Sequence, residues 1–302
     1  MDLYLPVANL SVNALVIVLL GGGVGLLSGM FGVGGGFLTT PLLIFYGIPP
    51  TVAVASAATQ VTGASVSGVM AYLDRDAVDL RMGSVLVAGG LLGSLIGAGL
   101  FELLAALGQI DTAISILYVG LLGTVGALMG REAWGTLRSM QAGLPPPPRK
   151  RRHHPMVANL PMRWRFYRSG LYISPLAPLL LGMAVGILTM LLGVGGGFIL
   201  VPAMLYLLGM GTQVVVGTSL FQILFVTIAT TMVHAMTTGA VDIVLAGLLL
   251  LGSVTGAQVG ARFAQKARPE YLRLALAVIV LLVAVQMAVG LFIRPDEIYT
   301  VQ

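Results

Sequence analysis

Gly32-Val33-Gly34-Gly35-Gly36-Phe37 is repeated, residue for residue, as Gly193-Val194-Gly195-Gly196-Gly197-Phe198, 161 positions further on. A glycine-rich turn cradles phosphate when it follows a β-strand and opens the helix of a βαβ unit. The surroundings here are of another kind. Both copies lie between long apolar segments, so the fold is decided by what a glycine break does inside a membrane-spanning chain.

The apolar character extends over the whole sequence. Of 302 residues, 57% are hydrophobic and 9% charged, and the mean hydropathy is +0.99. A soluble domain carries about 25% charged residues. Runs such as Ala14–Phe31, Met82–Phe101, Ile243–Ala261 and Leu274–Ile293 approach or reach the roughly 20 residues that cross a bilayer as a helix. The chain reads as a polytopic membrane protein. MDLYLPVANLSVNA, ahead of the first run, has no Lys or Arg and so lacks the basic start of a cleavable signal peptide. With no cysteine, disulfides, thiol chemistry and cysteine metal sites are excluded.

Hydropathy predicts ten helical segments in two groups of five: 12–31, 36–47, 52–72, 82–105 and 111–130, then 173–192, 197–209, 213–236, 241–264 and 271–293. The second of each group is too short to span ~30 Å at 1.5 Å per residue. It reads as a half-helix or half of a re-entrant hairpin. The groups are similar beyond the hexapeptide. Pro41 matches Pro202; Gly47-Ile48 matches Gly209-Met210; the stretch from Ser56 to Gln60 matches that from Thr218 to Gln222. Ala77-Val78-Asp79 matches Ala240-Val241-Asp242, and Gly89, Gly93 and Gly97 match Gly252, Gly256 and Gly260. This is an internal duplication. An odd number of segments per copy gives the copies opposite orientations, the inverted-repeat architecture of many secondary transporters. The expected fold is therefore all-α, with repeats at 1–130 and 173–302 and a linker at 131–172.

That linker, Arg131–Tyr172, holds nine of the sixteen Lys/Arg and one acid, Glu132. It includes four consecutive prolines, Pro145 to Pro148, followed by Arg149-Lys150-Arg151-Arg152. It reads as an extended solvated connection, or as a surface drawn to anionic lipid. Basic loops stay cytoplasmic. Placing this one inside also puts Arg75, Arg81, Lys266, Arg268 and Arg273 inside and both termini outside, with Arg294 the exception. The net charge of +5 is then a topology signal, and no nucleic-acid partner is expected.

The candidate site follows from the same pattern. Unwound backbone at membrane depth is tolerated only where protein or a water-filled cavity covers it. Its free N–H groups, with the positive end of the following half-helix, suit a small anion. Gly32, Gly34, Gly35 and Gly36 in one copy, and Gly193, Gly195, Gly196 and Gly197 in the other, are candidates for substrate binding; close helix packing is the alternative use of such glycines. For Gly89/Gly93/Gly97 and Gly252/Gly256/Gly260, spaced by four, packing is the favoured reading. Ser56, Thr59 and Gln60 share one face of a predicted helix, as do Thr218, Ser219 and Gln222. They can donate hydrogen bonds to an oxyanion or bond between helices. Gln60 and Gln222 lead, because the duplication kept a costly residue twice. Asp79 and Asp242 read as helix caps, and His234 as an interfacial or packed histidine that could titrate near neutral pH. There is no cluster of His, Asp or Glu with metal spacing, no Ser/His/Asp arrangement and no buried carboxylate–histidine relay. No enzyme chemistry, metal or cofactor is expected.

GMFGVGGGFLTTPLL (29–43) with SAATQ (56–60), echoed by MLLGVGGGFILVPAML (190–205) with GTSLFQ (217–222), resembles the TauE/SafE family of sulfite and organosulfonate exporters, the TSUP anion permeases. The resemblance covers nearly the whole chain apart from the Pro/Arg-rich linker. It implies an integral plasma-membrane permease for sulfite, sulfoacetate or related sulfur anions, without a cofactor. The expected partners are the small anion and the lipid bilayer, and a homo-oligomer is compatible with the reading. The other readings are a channel-like permease, a carrier of another anion or a metal ion, and an intramembrane enzyme.

Overall fold

The computed structural model describes residues 2–31, 35–74, 76–141, 163–266 and 269–292; Gly32, Gly34, Arg75, Arg268, Arg294 and the Pro145–Arg152 tract lie outside them. Ten helices occupy the described residues. They are α1 (Ala14–Phe31), α2 (Gly36–Phe45), α3 (Pro50–Leu73), α4 (Leu80–Ala106), α5 (Ile110–Gln141), α6 (Leu176–Leu192), α7 (Gly197–Tyr206), α8 (Thr212–Thr237), α9 (Ile243–Lys266) and α10 (Pro269–Phe292). Six of these, α3, α4, α5, α8, α9 and α10, contain stretches long and apolar enough to cross a membrane. At 1.5 Å per residue, α1 and α6 reach about 26 Å, and the ten-residue α2 and α7 only about 15 Å. The protein is an all-α, multi-pass membrane protein with two glycine-flanked half-helices. Outward-facing Leu15, Leu19, Leu92, Leu95, Leu251 and Leu282 suit a surface solvated by lipid tails.

Two features depart from the expected elements. α5 runs to Gln141, past the predicted end at 130, so Arg131, Glu132 and Arg138 are helical. Two antiparallel hairpins also appear. β1 (Asp2–Leu5) pairs with β2 (Leu10–Asn13), and β3 (Trp164–Phe166) pairs with β4 (Leu171–Ile173). They too are duplicated. Leu5 opposite Leu10 recurs 161 positions later as Phe166 opposite Leu171, and Asn9 and Gly170 both take positive φ in the turns.

The halves exchange helices. α1 packs along α9, and α4 along α6; under the duplication these two pairs correspond. α3 packs on α8 and α5 on α10, each against its own counterpart. The first two seams are built on glycine. A β-carbon at Gly252, Gly256 or Gly260 would lie 2.1 Å from the carbonyl oxygen of Val18, Gly22 or Leu26, and one at Gly89 or Gly93 would lie 2.1 Å from that of Leu179 or Met183. Such contact lets backbones approach closely, which replaces the hydrophobic drive that lipid removes. The packing reading of these glycines holds. We expect Gly252→Val to abolish the thermal unfolding transition of the purified protein or lower it by several degrees. Gly247→Ala, on the same helix with nothing within 4 Å of its β-carbon, should leave it unchanged. Equal melting of the two variants would contradict the seam.

Candidate functional site

The hexapeptides meet. Phe37 and Phe198, the last residue of each copy, stack face to face with ring centroids 4.4 Å apart and planes 9° from parallel. A β-carbon at Gly36 would lie 2.8 Å from the Val194 oxygen and 2.9 Å from that of Gly193, so the second loop crosses the start of α2. The N-termini of both half-helices therefore converge on one region.

The second copy shows why glycine is needed. Gly193, the residue ending α6, has φ 68°; Gly195 has φ 71°; Gly196, preceding α7, has φ 79°. This left-handed conformation costs an L-residue about 1–2 kcal/mol. Packing adds a second demand: a β-carbon at Gly193 would meet the Val54 oxygen at 2.3 Å, and one at Gly196 the Val185 Cγ1 at 2.1 Å. Gly197 is the first residue of α7. In the first copy Gly35, at φ −36° and ψ −10°, is right-handed, and its N–H donates to Ser28 Oγ at 2.8 Å. At the matching positions Gly35 and Gly196 the loops are thus alike in sequence but not in conformation. The Leu192 oxygen, at the open end of α6, accepts from Thr40 Oγ1 at 3.2 Å and from the Tyr118 hydroxyl.

Above the loops, α3 and α8 present the candidate polar residues. A β-carbon at Gly195 would touch Val61, Ile223 and Thr227, so Gln60 and Gln222 belong to the stretches of α3 and α8 that close over this loop. Both are buried, but their bonding differs. Gln60 Oε1 accepts from Thr39 Oγ1 at 2.9 Å, and that hydroxyl also reaches the Gly35 oxygen at 3.2 Å, tying Gln60 to the first loop. The position matching Thr39 is Leu200, and both the Nε2 and the Oε1 of Gln222 are buried without a partner. An unsatisfied buried polar group costs about 1–3 kcal/mol. Room for this amide comes from Gly90 on α4, whose β-carbon would fall 2.9 Å from Nε2.

The remaining candidates are placed differently. Ser56 Oγ accepts from the Asp242 N–H at 3.2 Å, and Thr218 Oγ1 accepts from the Asp79 N–H at 3.0 Å. These are the same contact in the two halves, and they hold the starts of α9 and α4. Asp79 caps α4 through Met82 N and also accepts from Ser169 N and Oγ beside the second hairpin; Asp242 caps α9 through Val244 N and Leu245 N and accepts from Val7 N beside the first. The capping reading of both aspartates holds. Thr59 Oγ1 donates to the Ala55 oxygen at 3.0 Å and lies 3.4 Å from Thr231 Oγ1, and Ser219 Oγ donates to the Val216 oxygen at 2.9 Å. Gly32 and Gly34 lie outside the described residues. Among the described residues, no group of three or more His, Asp or Glu could hold a metal ion. Sequence reasoning missed Thr39, Thr40, Tyr118 and Thr230; the first was detectable as a polar residue whose duplicate is Leu200.

Crossing helices, two half-helices with convergent N-termini and a buried, unpartnered amide on a helix that touches the second loop are the features of a multi-pass membrane transporter. The profile described as "Sulfite exporter TauE/SafE" matches residues 17–287. The chain belongs to that family. It is similar to "Probable membrane transporter protein YjnA" of Bacillus subtilis (strain 168), 27% identical over 265 residues, covering 88% of this chain and 96% of that protein. "Probable membrane transporter protein YunE" of the same organism is 25% identical, covering 90% and 96%. A "Probable membrane transporter protein" of Xylella fastidiosa (strain Temecula1 / ATCC 700964) is 28% identical over 85% of this chain and 87% of its own. No solved structure matches. The family is one of membrane transporters, not enzymes, and it implies a small anionic substrate.

Proposed function

We propose that the protein is a secondary permease that exports a small sulfur oxyanion, such as sulfite or sulfoacetate, through a site between the two glycine loops. The observation that carries this reading is the Gln222 amide, buried with both polar atoms unpartnered next to Ile223, which faces the second glycine loop. The amide NH₂ supplies donors in the protein interior. Loop N–H groups other than those of Gly35 and Gly193, which are bonded to Ser28 and Thr189, add further donors, together with the positive ends of α2 and α7. Neutral donors bind an anion without the strong Coulomb attraction of a buried arginine, which favours release. In this reading the site comprises the glycines of both hexapeptides, Gly32 and Gly34 included, with Thr59, Gln60, Ser219 and Gln222. Ser56 and Thr218 set the helix starts around it.

The same proposal makes the halves inverted repeats, 1–130 and 173–302, with 131–172 on the cytoplasmic side of the plasma membrane and both termini opposite. It is supported by the exchanged pairs α1–α9 and α4–α6, and by the paired contacts Ser56–Asp242 and Thr218–Asp79.

The test is flux into proteoliposomes of the purified protein, offering sulfite, thiosulfate, sulfate, sulfoacetate and taurine. Saturable movement of one or more sulfur anions is expected. Movement of carboxylates alone would reassign the substrate, and movement of none by folded protein would reject an anion site between the loops.

A further inference from the structure

Four buried side-chain atoms stand without a hydrogen-bond partner among the described residues, and all belong to one helix: Gln222 Nε2 and Oε1, Thr230 Oγ1 and His234 Nδ1, all on α8. All three residues are fully buried. At 100° per residue they fall within about a third of the circumference of α8, and they climb it over about 18 Å. Their duplicates in α3 are Gln60, Gly68 and Tyr72, so only the glutamine is shared. The upper part of this polar face exists in one half alone.

The histidine's tautomer is fixed by its surroundings. Its Nε2 lies 3.1 Å from the Met190 oxygen at the end of α6. A carbonyl oxygen can only accept, so Nε2 carries the hydrogen, and Nδ1 is left as a bare basic lone pair. Phe101 of α4 covers the ring edge-on, with centroids 4.9 Å apart. The helices packed on α8 are α3, α4, α6 and α7. Their titratable groups stand elsewhere. Arg81 and Glu102 on α4 are exposed, as is Tyr206 on α7, which bonds Glu132; Tyr72 on α3 is half-buried; α6 carries none. No buried carboxylate among the described residues of these helices neutralises a proton placed on His234.

We propose that His234 is a proton-binding site that couples anion movement to proton movement, connected to the anion site by the polar face of α8 through Thr230 and Gln222. This rests on the transport reading above. A proton from solution at the Thr237 end of α8 binds Nδ1 and gives an imidazolium. It passes along Thr230 toward the Gln222 amide and is released with the anion on the opposite side, one proton bound and one released per cycle. The imidazole returns to its neutral Nε2–H form.

The test uses full-length protein in proteoliposomes, with the membrane potential clamped and the panel anion that the wild type moves best. One proton per anion makes a pH step of one unit worth about a tenfold anion accumulation. The wild type should show that accumulation, and His234→Gln should only equilibrate the anion. A wild type indifferent to the gradient, or a His234→Gln variant that accumulates like the wild type, overturns the proposal. If no anion moves, the transport reading fails by itself, and the coupling claim is then decided by nitrogen NMR in nanodiscs. The chain has three histidines, so the variant His153→Gln/His154→Gln reports His234 alone. Its ring should be the Nε2–H tautomer at about pH 8 and gain a second proton reversibly as the pH falls to about 4. A single neutral form across that range overturns the proposal.

Discussion

Gln222→Met should lower anion flux by about ten- to a hundredfold while leaving thermal stability equal to the wild type or higher. Two effects separate here. The amide is buried and unpartnered in the resting structure, so an apolar side chain of similar size removes a desolvation cost of about 1–3 kcal/mol. If the same amide binds the anion, losing that interaction costs a comparable amount in the other direction, and each 1.4 kcal/mol is tenfold. Gln60→Met should behave otherwise. Its Oε1 is engaged by Thr39, so that variant loses a hydrogen bond of about 1 kcal/mol and should lose stability along with flux. The measurement is paired, a melting curve and a flux assay on the same preparation. Normal flux in folded Gln222→Met would remove the amide from the site, and marked destabilisation would show that it has a structural partner after all.

Gly193→Ala should be among the most damaging single methyls in the described residues. The position demands φ 68° and leaves no room, with the Val54 carbonyl 2.3 Å from where the β-carbon must go. Backbone of α3 cannot move aside as a flexible side chain would. The left-handed term contributes about 1–2 kcal/mol and the overpacking about 1–3 kcal/mol more. Gly108→Ala is the matched control, since it has φ 67° but nothing within 4 Å. It incurs the first term alone and should keep transport, while Gly193→Ala should lose both folded yield and flux. If the two variants melt and transport alike, the close approach of the second loop to α3 is not a constraint. A bulkier change at Gly195, crowding Val61, Ile223 and Thr227, should likewise abolish flux.

The helices were legible because lipid leaves few alternatives: apolar runs must be helical to satisfy their own backbone. The predicted starts and ends fall within about four residues of those observed, as expected from such patterns, except at the end of α5. There hydropathy marked where the apolar span stops, not where the helix stops. Residues 131–141 carry three charges but no proline, and the helix simply continues. The hairpins escaped notice because three- and four-residue strands are too short for a period to register. Their trace was the turn pair Asn9 and Gly170 at the spacing of the duplication. The candidate site was half legible. The sequence exposed the repeated glycines and glutamines, but it treated the copies as equal. Thr39 against Leu200, Gly68 against Thr230, and Tyr72 against His234 are where they differ, and what each difference does depends on the facing helix. Ser56 and Thr218 read as donors toward a ligand; their observed role in accepting from the aspartate N–H groups needed the other half of the chain in place.

The exchange of helices between halves also dictates an order of assembly. The glycine seam of α1 packs on α9, and Phe31 and Ile243 stand 212 positions apart. At a synthesis rate of about 5–20 residues per second, α1 waits roughly 10 to 40 seconds in the bilayer before its partner emerges. Throughout that interval its closest-packing face is open to lipid, to the insertion machinery or to the wrong helix. The second half has no such delay, because α4 is already present when α6 arrives. Biogenesis of this protein is therefore asymmetric where its architecture is balanced, and a chain truncated before residue 243 would leave α1 without a mate.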